Sequence, residues 1–130
     1  MKITISGSVK KLSELENIGN KLGELGFAVY VPERSSYQIG DYETRRKLED
    51  RHLSHLKDSD ALLIGNIKEA SQKYGRVGTS TYFEAGWAYA LGKRIYALEP
   101  IDPGSDFAED LLSLDVVQLN GDLSKMMEEK

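Results

Sequence analysis

Asp60-Ala61-Leu62-Leu63-Ile64-Gly65 leads through a polar stretch into Gly78-Thr79-Ser80-Thr81-Tyr82-Phe83-Glu84-Ala85-Gly86-Trp87-Ala88-Tyr89-Ala90-Leu91-Gly92-Lys93, and then into Arg94-Ile95-Tyr96-Ala97-Leu98. The runs Ala61 to Gly65 and Arg94 to Leu98 are short and apolar at successive positions, as strands covered on both faces are. Between them the sequence predicts a helix from about Thr81 to Leu91, stopped at Gly92. The same alternation extends in both directions. Lys2 to Ser6 is a β-branched first strand. Leu12, Leu15, Ile18, Leu22 and Leu25 fall at helical spacing, with Ser13 and Glu16 as a capping box and Gly26 as the stop. Phe27 to Val31 is a second buried strand, Glu33 to Gly40 a loop, and Asp41 caps a helix to about Lys57 with Leu48, Leu53 and Leu56 inward. Asn66 to Gly78 is a long loop or flexible lid. Pro100 to Gly104 is a turn, Phe107 to Leu112 a short helix, Val116 to Leu119 a fifth strand and Asp122 to Glu129 a polar helix. The expected fold is α/β: a flavodoxin-like three-layer sandwich whose five-stranded parallel sheet, in the order 2-1-3-4-5, carries helices on both faces.

Composition narrows the function classes. The 130 residues fit one domain, spanning 1–130, large enough to bury a core without disulfides or structural metal. Cysteine is absent, which removes thiol nucleophiles and cysteine-ligated zinc and accords with a reducing cytoplasm. The apolar runs are far shorter than the ~20 residues of a membrane helix, and the first residues read as a strand rather than a secretory signal. A soluble cytoplasmic protein is expected. Acidic residues outnumber basic ones by 21 to 17, for a net charge of −4, and the densest basic groups are only Lys10-Lys11 and Arg45-Arg46-Lys47. Polymeric nucleic acid is therefore not an expected partner, whereas a small anion is compatible. His52 and His55 stand three apart on the second helix, but no further histidine or cysteine exists to complete a transition-metal site, and no metal or cofactor is expected. Glu49, Asp50 and the arginines beside them read as a solvated face, and Asp58 and Asp60 as turn residues. Trp87, Tyr89 and Phe83 read as core or interface.

In a sheet of this order, ligands bind at the carboxyl ends of strands 1 and 3. That rule selects Ser6-Gly7-Ser8-Val9-Lys10 and the segment from Asn66 to Thr81, which leads into Glu84. In the first loop glycine allows close backbone approach, hydroxyls and N–H groups suit phosphate or sugar oxygens, and Lys10 supplies charge. Glu84, placed in the first turn of its helix, has two readings. Thr81-Tyr82-Phe83-Glu84 matches a capping box. Equally, Glu84 is a carboxylate kept ionised for chemistry by the helix N-terminus, with the small Ala85 and Gly86 leaving room for a ligand.

These residues resemble the nucleoside 2-deoxyribosyltransferase superfamily, which includes the 2'-deoxynucleoside 5'-monophosphate N-hydrolases. The likeness runs from Met1 to about Leu98 and is most specific in Glu-x-Gly-x-Ala-x-Ala-Leu-Gly-Lys, Glu84 to Lys93. It implies an enzyme in which Glu84 attacks the anomeric carbon of a 2-deoxyribosyl group, forming a covalent glycosyl-enzyme that a second base or water resolves. Ser6, Gly7, Ser8 and Lys10 would hold the sugar or 5'-phosphate, and Gly78, Thr79 and Ser80 would assist. Gly7-Ser8-Val9-Lys10 resembles the Gly-Ser-Ile-Arg pattern of the hydrolase branch, with lysine in place of the arginine fork. His52 stands where the family usually has an aspartate that handles the proton of the departing base, a role open to histidine near neutral pH. Tyr82 stands where family members carry a small residue, so its ring either narrows the sugar pocket or folds outward. The resemblance implies a small-molecule nucleoside or nucleotide as partner, and a homodimer or larger homo-oligomer. A non-catalytic nucleotide-binding module on the same fold is the alternative that His52 and Tyr82 favour.

Overall fold

A computed structural model describes residues 1–33 and 37–129, so part of the expected loop from Glu33 to Gly40 lies outside the described residues. Five strands, β1 (Lys2–Ser6), β2 (Ala28–Tyr30), β3 (Ala61–Ile64), β4 (Arg94–Ala97) and β5 (Val117–Gln118), form one sheet in the order β2-β1-β3-β4-β5. Every pairing is parallel. Ser6 is in register with Ile64, and Ile64 with Ala97, so β1, β3 and β4 end at one level and their following loops share one edge.

Alternation along the strands divides the core into two layers. Ile3, Ile5, Leu63 and Tyr96 face helix α1 (Leu12–Glu24), which contributes Leu15, Ile18 and Leu22. Leu62, Ile64, Ile95 and Ala97 face the other way, against Leu56 of α2 (Tyr42–Lys57), Ala85 and Ala88 of α3 (Thr79–Ala90), and Leu111 of α4 (Ala108–Leu112). Each fully buried leucine or isoleucine contributes about 1.5–3 kcal/mol of transfer free energy. Leu15 also sets the shape of the crevice, because a Cβ on Gly65 would lie 2.5 Å from its Cδ2 and one on Gly7 3.0 Å from its Cδ1. Glycine at both loop starts lets α1 close beneath them.

Helix α1 stops as its sequence indicates. Gly26 adopts φ 96°, and the N–H groups of Gly26 and Phe27 donate to the carbonyls of Gly23 and Leu22, a Schellman ending. Its start differs from expectation: Ser13 is already inside the helix, and Ser8 instead accepts the Lys10 N–H to open a 3-10 turn, Val9–Lys11, that runs into α1. The second strand is an edge strand rather than a buried one, with Ala28 exposed and only β1 as neighbour. The C-terminal segment, Leu123–Glu129, is a 3-10 helix and is not wholly polar, since Met126 is fully buried against the α1 layer.

The segment after β3 is irregular, as expected, but is tied down rather than built as a free lid. The buried Asn66 side chain donates to the carbonyls of Gly75 and Glu99 and accepts the Glu99 N–H, while the Gly75 N–H donates to Pro100. No helix among the described residues is long and apolar enough to cross a membrane.

Candidate active site

Helix α3 begins at Thr79, two residues earlier than expected, because Gly78 is extended (φ −75°, ψ 159°) and the Thr81 N–H already donates to the Gly78 carbonyl. Thr81 is thus in the first turn, and its hydroxyl is spent 3.0 Å from Ser6 Oγ, a buried bond that ties α3 to the end of β1. Two expectations for Glu84 fall with this. It is not half of a capping box, and it sits in the second turn rather than the first, where the helix dipole has largely faded. Ala85 and Gly86 do not make room beside it either: Ala85 is fully buried in the core and Gly86 opens onto an apolar groove on the far side of α3.

The partner of Glu84 comes from another helix. Oε2 lies 2.9 Å from Nε2 of His52 on α2, with only 12% and 11% of the two side chains exposed. The approach is close but off-line for a hydrogen bond, and neither atom has a second partner among the described residues. His55, one turn on, is directed elsewhere: its ring stacks on Tyr30 at 3.5 Å and 9°, while Tyr30 also lies tilted against His52 at 5.9 Å.

Glu84 and His52 open into a cavity of about 350 Å³ at the carboxyl edge of β1 and β3. Gly7, Ser8, Gly78, Thr79 and Ser80 line it, so the structure brings together five of the seven binding residues that the sequence singled out. The other two, Ser6 and Lys10, line an adjoining cavity of about 370 Å³ that shares Gly7, Ser8, Gly78 and Thr81 with the first. The expected solvated face of α2 holds for the exposed Arg46, Asp50 and Arg51, whereas Arg45 and Glu49 depart from it. Arg45 turns into the first cavity, donating to Tyr37 Oη at 2.9 Å and Ser80 Oγ at 3.0 Å and pairing with Glu49 at 2.7 Å. Arg51 pairs with Glu33 at 2.6 Å across the same mouth. The burial of Tyr30, and then the nearby charge of Glu33, raise its pKa above the ordinary value, so its hydroxyl stays a neutral donor at the cavity wall. Sequence gave no local signal for Tyr30, Arg45 or Arg51, although the spacing Arg45, Leu48, Glu49, His52 is one helix face.

Tyr82 folds outward. Its hydroxyl donates to the Asp106 carbonyl at 3.0 Å and its ring meets Phe107 edge-on at 5.7 Å, outside the Glu84 cavity. Trp87 packs half-buried on the α3 side of the core, whereas Phe83 and Tyr89 are exposed rather than core.

Among proteins of known structure, the chain is similar to the 2-deoxyribosyltransferase of the psychrotolerant bacterium Bacillus psychrosaccharolyticus, at 22% identity and a TM-score of 0.61 over 87% of this chain and 81% of that one. It is also similar to the Clostridium botulinum CMP N-glycosidase, at 17% identity and a TM-score of 0.57 over 99% of this chain and 97% of that one. No family model and no curated protein sequence matches it. At these identities the likeness is one of architecture, and the chain has the flavodoxin-like α/β fold that the 2-deoxyribosyltransferase and the CMP N-glycosidase share.

Proposed function

We propose that this protein is an enzyme that cleaves or transfers at the N-glycosidic bond of a 2'-deoxynucleoside or its 5'-monophosphate, with Glu84 as nucleophile. The observation that carries this reading is the Glu84 carboxylate, nearly buried and 2.9 Å from His52, at the floor of a cavity large enough for a small ligand and placed at the sheet's switch point. In the reaction a Glu84 oxygen attacks C1', the C1'–N bond breaks, and its electron pair leaves with the base. His52 gives its Nε2 proton to the departing base. The negative charge of Glu84 also favours the oxocarbenium-like transition state. Water or a second base then attacks C1' of the glycosyl-enzyme and gives its proton to the deprotonated His52, while the C1'–O bond to Glu84 breaks and frees the carboxylate.

Ser8, Gly78, Thr79 and Ser80 hold the sugar side of the ligand. Tyr82 is turned away from the Glu84 cavity, which removes one of the two features that favoured a non-catalytic module. The exposed Phe83 and Tyr89, together with the family resemblance, support a homo-oligomer, to be read directly by sedimentation.

The test is incubation with a panel of deoxynucleosides and their 5'-monophosphates, with and without an acceptor base, following free or exchanged base by chromatography. Glu84→Gln is expected to reduce turnover by about a thousandfold or more, as loss of a nucleophile does. Undiminished turnover in Glu84→Gln refutes the assignment, and saturable binding without turnover in the wild type selects the binding-module reading.

A further inference from the structure

The cavity beside the Glu84 site is charged against the trend of the whole protein. Three cations, Lys10, Lys11 and Arg76, line it, and no carboxylate does, in a chain of net charge −4. Lys11 is engaged by Glu69 at 3.5 Å. The side chains of Lys10 and Arg76 take no ion pair or hydrogen bond among the described residues. Gly7, Gly65 and Gly78 leave the backbone around them bare, and Ser6 and Ser8 add hydroxyls. By contrast, the larger share of charge around the Glu84 cavity is already paired, Arg45 with Glu49 and Arg51 with Glu33.

Arg76 is held in position by an unusual local construction. It follows Gly75, which is buried against Asn66 so closely that a Cβ would stand 1.8 Å from the Asn66 carbonyl oxygen. The three side-chain hydrogen bonds of Asn66 and the Gly75 N–H bond to Pro100 fix that backbone at the sheet's carboxyl edge. An exposed arginine on a pinned backbone beside an unpaired lysine has the makings of a fork for a phosphoryl group.

We infer that Arg76 is a specificity-determining residue: with Lys10 it holds a terminal phosphate, so that the substrate is a nucleoside 5'-monophosphate rather than a nucleoside. This inference rests on the proposed function for the identity of the sugar, but the anion site stands on its own charge and geometry.

The test pairs binding with turnover. Calorimetry with 2-deoxyribose 5-phosphate and with 2-deoxyribose is run on wild type, Arg76→Ala, Arg76→Lys and the Lys11→Ala control. Arg76→Ala is expected to weaken the phosphate ligand about 10- to 100-fold, with Arg76→Lys recovering part of it and Lys11→Ala changing it little. The kcat/KM ratio between a deoxynucleoside 5'-monophosphate and its nucleoside should fall by a similar factor in Arg76→Ala. Equal affinity of wild type and Arg76→Ala for 2-deoxyribose 5-phosphate overturns the inference, as does wild-type preference for the sugar lacking phosphate. Should no substrate turn over while the phosphate ligand still binds through Arg76, the catalytic reading fails and the anion site survives.

Discussion

Replacing Gly75 with alanine tests how the segment after β3 is held. The added Cβ would lie 1.8 Å from the carbonyl oxygen and 2.8 Å from the carbonyl carbon of Asn66. Ordinary non-bonded contact is about 3.5 Å, so two stretches of backbone must separate by on the order of 1.5 Å. Neither stretch is free to do so. Gly75 gives its N–H to Pro100 at 3.0 Å and its carbonyl to Asn66 Nδ2 at 3.2 Å, and Asn66 is in turn fixed to Glu99 at 2.9 and 3.0 Å. Moving Gly75 gives up two bonds at about 1 kcal/mol each. Residual overpacking adds about 1–3 kcal/mol. The lower backbone entropy of alanine in the unfolded chain returns only about 0.4–1 kcal/mol. The net loss is about 3 kcal/mol, which for a chain of this length lowers Tm by roughly 10 °C. Thermal unfolding followed by circular dichroism measures it, and the same variant assayed with 2-deoxyribose 5-phosphate reports whether Arg76 has shifted. A variant whose Tm stays within about 2 °C of wild type, a difference worth well under 1 kcal/mol, refutes the clamp.

Three further outcomes follow from individual contacts. Thr81→Val leaves Ser6 Oγ without its buried partner and should cost about 1–3 kcal/mol, while Ser6→Ala combined with Thr81→Val should cost less than the sum, a coupling that a double-mutant cycle in urea resolves. The Thr44 hydroxyl and then its N–H, both donating to Asp41, lower the pKa of that carboxyl. Its stabilising contribution is therefore present above the ordinary aspartate range and lost as pH falls through the lowered folded value, so Tm against pH should drop less steeply on the acid side in Asp41→Asn. Tyr30, raised chiefly by burial and then by Glu33, keeps its phenol at alkaline pH. The stability this brings is complete below about pH 10 and declines as pH rises through the raised folded value, and ultraviolet titration of Tyr30→Phe against wild type should delete a late-ionising tyrosine.

The parts of the fold that could be read in one dimension are those fixed by local pattern. Ala61 to Ile64 admits no face that water could touch, Gly26 and Gly92 stop helices by taking positive φ, and alternation of such strands with helices leads to a parallel sheet. Glu84 and the Ser6 to Lys10 turn were legible because a parallel sheet places its crevice at known strand ends. Helix starts were less so. Thr79, Ser80, Thr81 and Ser13 are all cap-forming residues, and only the extended Gly78 and the 3-10 turn at Val9–Lys11 decided which of them caps nothing.

What the sequence determined by itself was the sheet, its order and the two loops that meet at its edge, since hydrophobic period and glycine placement act over a few residues. What only the tertiary structure decided was the company each site residue keeps. His52 and Glu84 are 32 positions apart and meet because α2, lying over β1, packs against α3, which lies over β3 and β4. Arg76 joins Lys10 because Asn66 draws Gly75 onto the end of β4. Close packing of distant backbone carries no periodic trace in the chain, and that packing set Glu84 against His52 and Arg76 beside Lys10.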